Sequence, residues 1–465
     1  MLYDLIVIGN TPEAILAATK ASYLKDRIAL VYPPSNGCIE AAEAIFNRRF
    51  THLNESFIYS DNSDKLDSLT YFTQGLLSQI WGQDNLAKLS SMGIDVIIGK
   101  GEFCRLPKLG FIVNNNKLRS PFYLVATGSH SIIPNIPGLK TVGYLTAQDI
   151  LGKDPALLPN NLLILGGNIS AIPLAQNLGK IGKNITLVLE NQKLLPEADR
   201  ECSFLIQAQL ESEGISLFIN SPISQIKIID GKKWVQAGNK AIETDEIIIT
   251  NNQTTPKIEG LNLEGVKVKI ESNGIVVNEK LQTTNEKIYA CGSVISRNNF
   301  CQSAEVETEI AVNNALYFPW HKINYNHIPS IVFTSPQLAK IGLTEIQART
   351  KYKDDLFIAR EYYKNITDAQ IIEQTTGFCK LIARKNGEIV GAHIMGYQAG
   401  ELIATIALAI NNNIRLKQLA NLPLPSLTLS EILKSAAGQW QREQIRKNNI
   451  LFNIINKLLF WRHKC

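Results

Sequence analysis

Two segments of this chain pass from an apolar run into a glycine turn and then into a helical pattern. They are Tyr3-Asp4-Leu5-Ile6-Val7-Ile8-Gly9-Asn10-Thr11-Pro12-Glu13-Ala14 and Leu162-Leu163-Ile164-Leu165-Gly166-Gly167-Asn168-Ile169-Ser170-Ala171. In a dinucleotide-binding turn the first glycine makes the tight bend, the second lets backbone approach a pyrophosphate, and the third lets helix pack on strand. Gly9 and Gly166 keep the bend, and Ala14 and Ala171 are small enough for the packing position. The middle glycine is replaced by Thr11 in one copy and by Asn168 in the other. Each replacement brings a β-carbon and polar atoms to the place where bare backbone would meet phosphate.

A chain of 465 residues, 45% hydrophobic and 19% charged, is globular and long enough for about three domains. The first strand pattern begins at Tyr3, which leaves no room for a secretory leader, and the longest apolar stretches fall short of the ~20 residues that span a bilayer. The expectation is a soluble, cytoplasmic protein. Its seven cysteines (Cys38, Cys104, Cys202, Cys291, Cys301, Cys379 and Cys465) are dispersed, with no C-x-x-C pair. That pattern suits reduced thiols and gives no metal-ligand cluster.

Further along, Ile28–Tyr32 reads as the second strand of a βαβ unit, 67–93 as helical, and Val96–Val113 as strand-rich. A buried strand at Phe122–Val125 closes in Ala126-Thr127-Gly128, followed by the proline-rich stretch holding Pro134, Pro137 and Gly138. Strands recur at Ile223–Ile229 and Glu246–Thr250. Lys287-Ile288-Tyr289-Ala290-Cys291-Gly292-Ser293 is another strand with a glycine turn, leading to a helix over about 302–316. From Ile328 onward strands and long helices continue without nucleotide-type turns, which marks a separate domain.

These landmarks in this order resemble the pyridine nucleotide-disulfide oxidoreductase family, in its dihydrolipoamide dehydrogenase and mercuric reductase branch. The resemblance runs from Tyr3 to about Ala437 and includes Leu194-Leu195-Pro196, Phe333-Thr334-Ser335-Pro336, Gly391-Ala392-His393 and Thr428-Leu429-Ser430-Glu431. It implies an α/β chain with two Rossmann-like FAD/NAD(P)-binding domains plus a C-terminal α+β dimerisation domain. The corresponding boundaries are 1–150 with 275–327 for FAD, 151–274 for NAD(P)H, 328–437 for dimerisation, and 438–465 for a basic amphipathic tail. Homodimerisation is implied as well. The resemblance puts Gly9, Thr11, Ala14, Tyr32, Thr127, Gly128, Gly292 and Ser293 at the FAD, and Gly166, Gly167 and Asn168 at the nicotinamide cofactor.

The chain also departs from that pattern. Of the family's C-x-x-x-x-C disulfide only Cys38 has a counterpart, and Pro33 stands five residues before it. A disulfide needs Cα atoms within about 7 Å, and no local partner exists. The position of the family's catalytic histidine, five residues before Glu431, holds Ser426, which has no useful acid–base chemistry near neutrality. The buried glutamate often found after the second turn corresponds to Pro173. Tyr32 stands where an acid usually binds the FAD ribose, Ser293 where an acid meets the ribityl chain, and Leu189 where the second ribose is read, with Glu190 one place on. No residue is assigned a catalytic role, and no metal site is expected.

Residues 439–465 hold six Lys/Arg against one Glu, so the tail carries the whole net charge of +5. On a helical wheel Ile450, Leu451, Ile454, Ile455, Leu458 and Trp461 face one way and Arg446, Asn453, Asn456, Lys457 and Lys464 the other. Such a helix docks on its own fold or dimer partner, or contacts an anionic membrane; nothing points to nucleic acid. Two functions fit the sequence. One is a flavin-dependent oxidoreductase passing electrons from NAD(P)H through FAD to an acceptor that is not a dithiol. The other is a non-catalytic homodimeric pseudoenzyme acting as a scaffold or regulator.

Overall fold

The structure, a computed structural model, describes residues 2–25, 27–34, 45–51, 75, 83–146, 149–150, 155–250, 254–295 and 303–447. The chain divides into two compact units, one of 1–194 with 210–324 and one of 195–209 with 325–465.

Continuous apolar runs form the centre of the first unit. Leu5–Ile8 is buried at every position, as a parallel strand covered on both faces requires. It pairs in parallel with Ile28–Tyr32 on one side and Phe122–Val125 on the other. Ile94–Ile98 and Ile288–Ala290 complete a five-stranded parallel sheet as its two edges. The order reverses at Leu5–Ile8, which creates a topological switch point where ligands bind in open α/β sheets. A second sheet repeats the arrangement, with Asn161–Leu165 between Asn184–Val188 and Glu246–Ile249, and with Ser216–Phe218 and Leu145–Thr146 outside them. An antiparallel meander, Ile223–Ile229, Lys232–Ala237 and Lys240–Thr244, shares a core with this second sheet through Ile226, Val235 and Ala237.

The second unit is antiparallel, in the order Ser330–Val332, Gln337–Gly342, Ile389–Gly396, Phe378–Ala383, Phe357–Tyr362. Helices Ala399–Asn411 and Glu431–Lys447 contribute Ile403, Ile406, Ile432 and Ala436 to its core. Within this core lies a charged cluster. The Lys380 side chain is 2% exposed and reaches Asp199 at 2.8 Å, Glu345 at 2.6 Å and Glu201 at 3.3 Å. Arg360 adds a two-pronged contact with Glu201 and a bond to Glu345 at 2.9 Å. Burial pushes the Asp199 carboxyl up, but Lys380 and the Glu345 amide outweigh it and hold the group below its ordinary value. Beside it His393 is fully buried; its Nε2 lies 3.1 Å from the Leu343 carbonyl, and Nδ1 has no hydrogen-bond partner among the described residues.

Several boundaries differ from the sequence expectations for local reasons. The first helix starts at Pro12, because Thr11 caps it and proline suits the first helical position. The strand expected at Glu246–Thr250 ends at Ile249, and Thr250 belongs to the turn. Within 67–93 the described helix is Gln83–Ser91, followed by a turn at Met92 and Gly93; 67–74 and 76–82 lie outside the described residues, and Gly75 is helical. The helix expected over about 302–316 is Ala304–Leu316. The tail is helical to Lys447, and the face assigned to 450–461 lies outside the described residues, as does Cys38.

Candidate functional site

The carboxyl ends of the first sheet bring the sequence-predicted residues together. Gly9, at φ 150°, lies so close to the next strand that a Cβ there would stand 2.0 Å from the Ala126 carbonyl and 3.1 Å from the Ala14 Cβ. The Thr11 hydroxyl donates to that same carbonyl at 2.9 Å and accepts from the Ala14 amide at 3.3 Å. A Cβ on Gly128, at φ 79°, would meet the Thr11 methyl at 2.8 Å and lie 3.7 Å from the Ser293 hydroxyl. Gly9, Thr11, Ala14, Gly128 and Ser293 therefore form one cluster at the switch point. Between Ala126 and Gly128, the buried Thr127 hydroxyl has no hydrogen-bond partner among the described residues.

Gly292, at φ 76°, closes the cluster, and its amide donates to the buried Glu307 carboxylate at 2.8 Å. A Cβ on Gly292 would come within 3.2 Å of the Glu13 Cγ. Sequence reasoning assigned nothing to Glu13 or Glu307, although Glu13 lies inside the first glycine turn. Tyr32, at the tip of the second strand, is half-buried, and desolvation raises its pKa so that it stays neutral. Asn10 donates to the Pro33 carbonyl at 3.1 Å.

The second turn follows the same plan. A Cβ on Gly166, at φ 133°, would lie 2.7 Å from the Thr250 carbonyl. Asn168 donates through Nδ2 to that carbonyl, and its Oδ1 accepts from the Ser170 amide at 3.0 Å and the Ala171 amide at 2.7 Å. Its backbone carbonyl takes the Ile172 amide at 3.2 Å, and Pro173 has no N–H to offer. The opening amides of this helix, which would receive an anion, are therefore bonded to Asn168. Leu189 is buried over Gly167, where an added Cβ would meet its Cδ1 at 2.8 Å, and Glu190 is exposed. Thr11 and Asn168, expected to crowd the phosphate positions, close on their own helices, each with a bridge to the neighbouring strand end.

The Ala14 amide of the first cradle and the Ser170 and Ala171 amides of the second are bonded to side chains, and the residues at the ends of the second strands, Tyr32 and Leu189, carry no acid. In the second unit Ser426 is exposed and Glu431 accepts from the Leu427 amide at 3.1 Å. Cys104, Cys202, Cys291 and Cys379 are free thiols, and burial pushes the pKa of the last three far up, which leaves them poor nucleophiles. No group of residues suited to a metal occurs among the described residues, and no helix among them is long and apolar enough to cross a membrane.

Comparison with known proteins gives a coherent set of matches. The model of the pyridine nucleotide-disulphide oxidoreductase family matches residues 3–311, and the model of its dimerisation domain matches residues 328–437. A mercuric reductase of Staphylococcus aureus is 31% identical over 95% of this chain and 83% of its own length. The mitochondrial dihydrolipoyl dehydrogenase 1 of Arabidopsis thaliana is 25% identical over 93% of this chain and 89% of its own. Among solved structures, LpdA of Mycobacterium tuberculosis superposes with a TM-score of 0.82 at 21% identity, covering 94% of this chain and 99% of that one. The HOCl-induced flavoprotein disulfide reductase RclA of Escherichia coli gives 0.79 at 22%, with the same coverages.

Proposed function

The chain belongs to the pyridine nucleotide-disulphide oxidoreductase family, whose members are FAD- and NAD(P)-dependent oxidoreductases, and from that premise we propose that it is a homodimeric member that has left both dithiol–disulfide exchange and nicotinamide-linked reduction. It serves as a cytoplasmic scaffold or regulator built on an enzyme's frame. Residues 1–150 with 275–327 form the flavin-type domain, 151–274 the nicotinamide-type domain, and 328–437 the dimer contact. The observation that carries this reading is the bonding of Asn168: both ends of its carboxamide, and its carbonyl, hold the turn where a nicotinamide dinucleotide would rest its pyrophosphate. Ser426 in place of an imidazole supports the loss of thiol chemistry.

A second reading keeps electron transfer, from NAD(P)H through FAD to an acceptor other than a dithiol. The buried Thr127 hydroxyl, which has no hydrogen-bond partner among the described residues, favours it, because a flavin dinucleotide bound there would supply the redox centre beside an unmet donor. The absorption spectrum of the purified chain, followed by anaerobic addition of NADPH, separates the two. The first reading expects no change in absorption that consumes NADPH. Stoichiometric flavin bleached by NADPH would establish the second.

A further inference from the structure

We propose that Cys104 and Lys117 form a redox-controlled cross-link, a sulfenamide made when hydrogen peroxide oxidises the thiol, which staples the outer strands of a three-stranded sheet in the first unit. The sheet runs Gly101–Cys104, Gly110–Val113, Asn116–Leu118, antiparallel throughout. Asn114 and Asn115, at φ 49° and 63°, make the two-residue hairpin that fixes its second register. Cys104 stands opposite Gly110, and Lys117 opposite Ile112. Side chains alternate between the faces of a strand, so Cys104, Gly110, Ile112 and Lys117 share one face. The other face carries Phe103, Phe111 and Leu118, all buried, with the two phenyl rings edge to face at 5.0 Å. The thiol and the amine sit on the outer face of a sheet whose inner face is anchored.

The lysine reaches the thiol across Gly110. A Cβ there would stand 2.5 Å from the Lys117 Cε and 3.1 Å from its Cγ, so the lysine stem occupies the space that any other residue would fill. Crossing the central strand brings Nζ to 3.3 Å from the Cys104 Sγ. The Leu106 carbonyl holds both groups, accepting from Nζ at 2.7 Å and from the thiol at 3.1 Å. Lys117 forms no ion pair among the described residues. Cys104 is also the thiol within an oxidant's reach: it is partly exposed, whereas Cys202, Cys291 and Cys379 are buried.

One peroxide suffices for the link. The Cys104 sulfur attacks a peroxide oxygen; the S–O bond forms, the O–O bond breaks, and the second oxygen leaves as water with the thiol proton, giving a sulfenic acid. The Lys117 nitrogen then attacks that sulfur: the S–N bond forms, the S–O bond breaks, and the hydroxyl leaves as water with one amine proton. Sulfur loses two electrons and the peroxide gains them. Holding the amine beside the sulfur makes the second step intramolecular, which lets it outrun further oxidation. A dithiol reverses the link, returning thiol and amine and leaving as a cyclic disulfide. Once closed, the link joins residues 13 positions apart and restricts the unfolded chain.

Peptide mass mapping of the full chain after treatment with hydrogen peroxide tests this, with dimedone as the trap for sulfenic acid. The peptides holding Cys104 and Lys117 are joined and two hydrogens lighter than their sum, and dithiothreitol separates them. In Lys117→Arg, which keeps the positive charge and donors but lacks the nucleophilic amine, the link is absent and dimedone capture at Cys104 rises several-fold. The oxidised chain melts higher than oxidised Lys117→Arg, and dithiothreitol abolishes the difference. Cys104 untouched by peroxide, Cys104 joined to another cysteine, or equal dimedone capture in the two proteins would overturn the proposal. A link that forms without raising the unfolding temperature would overturn the staple.

Discussion

Asn168 bonds the carbonyl of Thr250, and Thr11 bonds the carbonyl of Ala126, so each residue that replaces a middle glycine ties its turn to the next strand. Replacing either with glycine removes that tie and frees helix amides. Asn168→Gly is expected to create measurable NADPH binding, and Thr11→Gly to improve FAD binding. For Thr11, the N-cap of its helix, the stability cost is a few tenths of a kcal/mol for exchanging a cap for glycine. Titration with each nucleotide, alongside thermal melts, checks both; no gain in either would mean that the missing acids limit binding.

Lipoamide, glutathione disulfide and mercuric ion are expected not to be turned over with NADPH. Cys38 has no second cysteine at the family's spacing, and Ser426 cannot carry a proton between thiols. Steady-state NADPH oxidation with each substrate measures this, and activity lost in Cys38→Ser would reverse the conclusion.

The second unit is expected to lose stability in mild acid through His393. Burial lowers its pKa to about 4 from 6.5. The unfolded chain therefore binds a proton through a window in which the folded chain does not. The stabilisation is complete above pH 6.5 and falls away as pH drops toward 4, by about 3 kcal/mol. Asp199, Glu201 and Glu345, all held below their ordinary values, extend the loss to lower pH. Denaturant melts from pH 7 to pH 4 should show this slope, flattened in His393→Gln. Lys380→Met should cost about 3–5 kcal/mol at pH 7, because it leaves Asp199 buried without its partner.

Sedimentation at micromolar concentration is expected to show a homodimer, as the dimerisation domain matched over 328–437 implies. Interfaces of that permanent kind bury more than about 2,000 Å². A monomer would overturn the homodimeric part of the proposed function.

Truncation before Asn448 tests the tail without cutting the Glu431–Lys447 helix, whose Trp440 ring packs against Gly387. If residues 448–465 dock on the protein, their loss lowers the unfolding temperature. If they contact an anionic membrane, the temperature is unchanged and salt-sensitive sedimentation with phosphatidylserine vesicles is lost, at about 1 kcal/mol per basic residue. No change in either would make the tail a solvated extension.

The strand runs Leu5–Ile8 and Leu162–Leu165 were legible because parallel strands buried on both faces must be apolar throughout, and the glycines after them because positive φ demands it. The direction taken by the Thr11 and Asn168 side chains was not. Their partners, Ala126 and Thr250, lie 115 and 82 positions away and act through backbone carbonyls that no residue type reveals. Lys380 and Asp199, 181 positions apart, were equally hidden. Glu13 was in plain view within the turn, and its acidity at a helix start was the missed signal.

Asn168 also changes how the chain depends on its surroundings. A nucleotide that binds only the folded state adds stability in proportion to the logarithm of its concentration. If the Asn168 side chain stands in for that ligand, as proposed, the term vanishes for the second sheet, and the abundance of this protein in a cell is expected to hold steady when nicotinamide nucleotides run short.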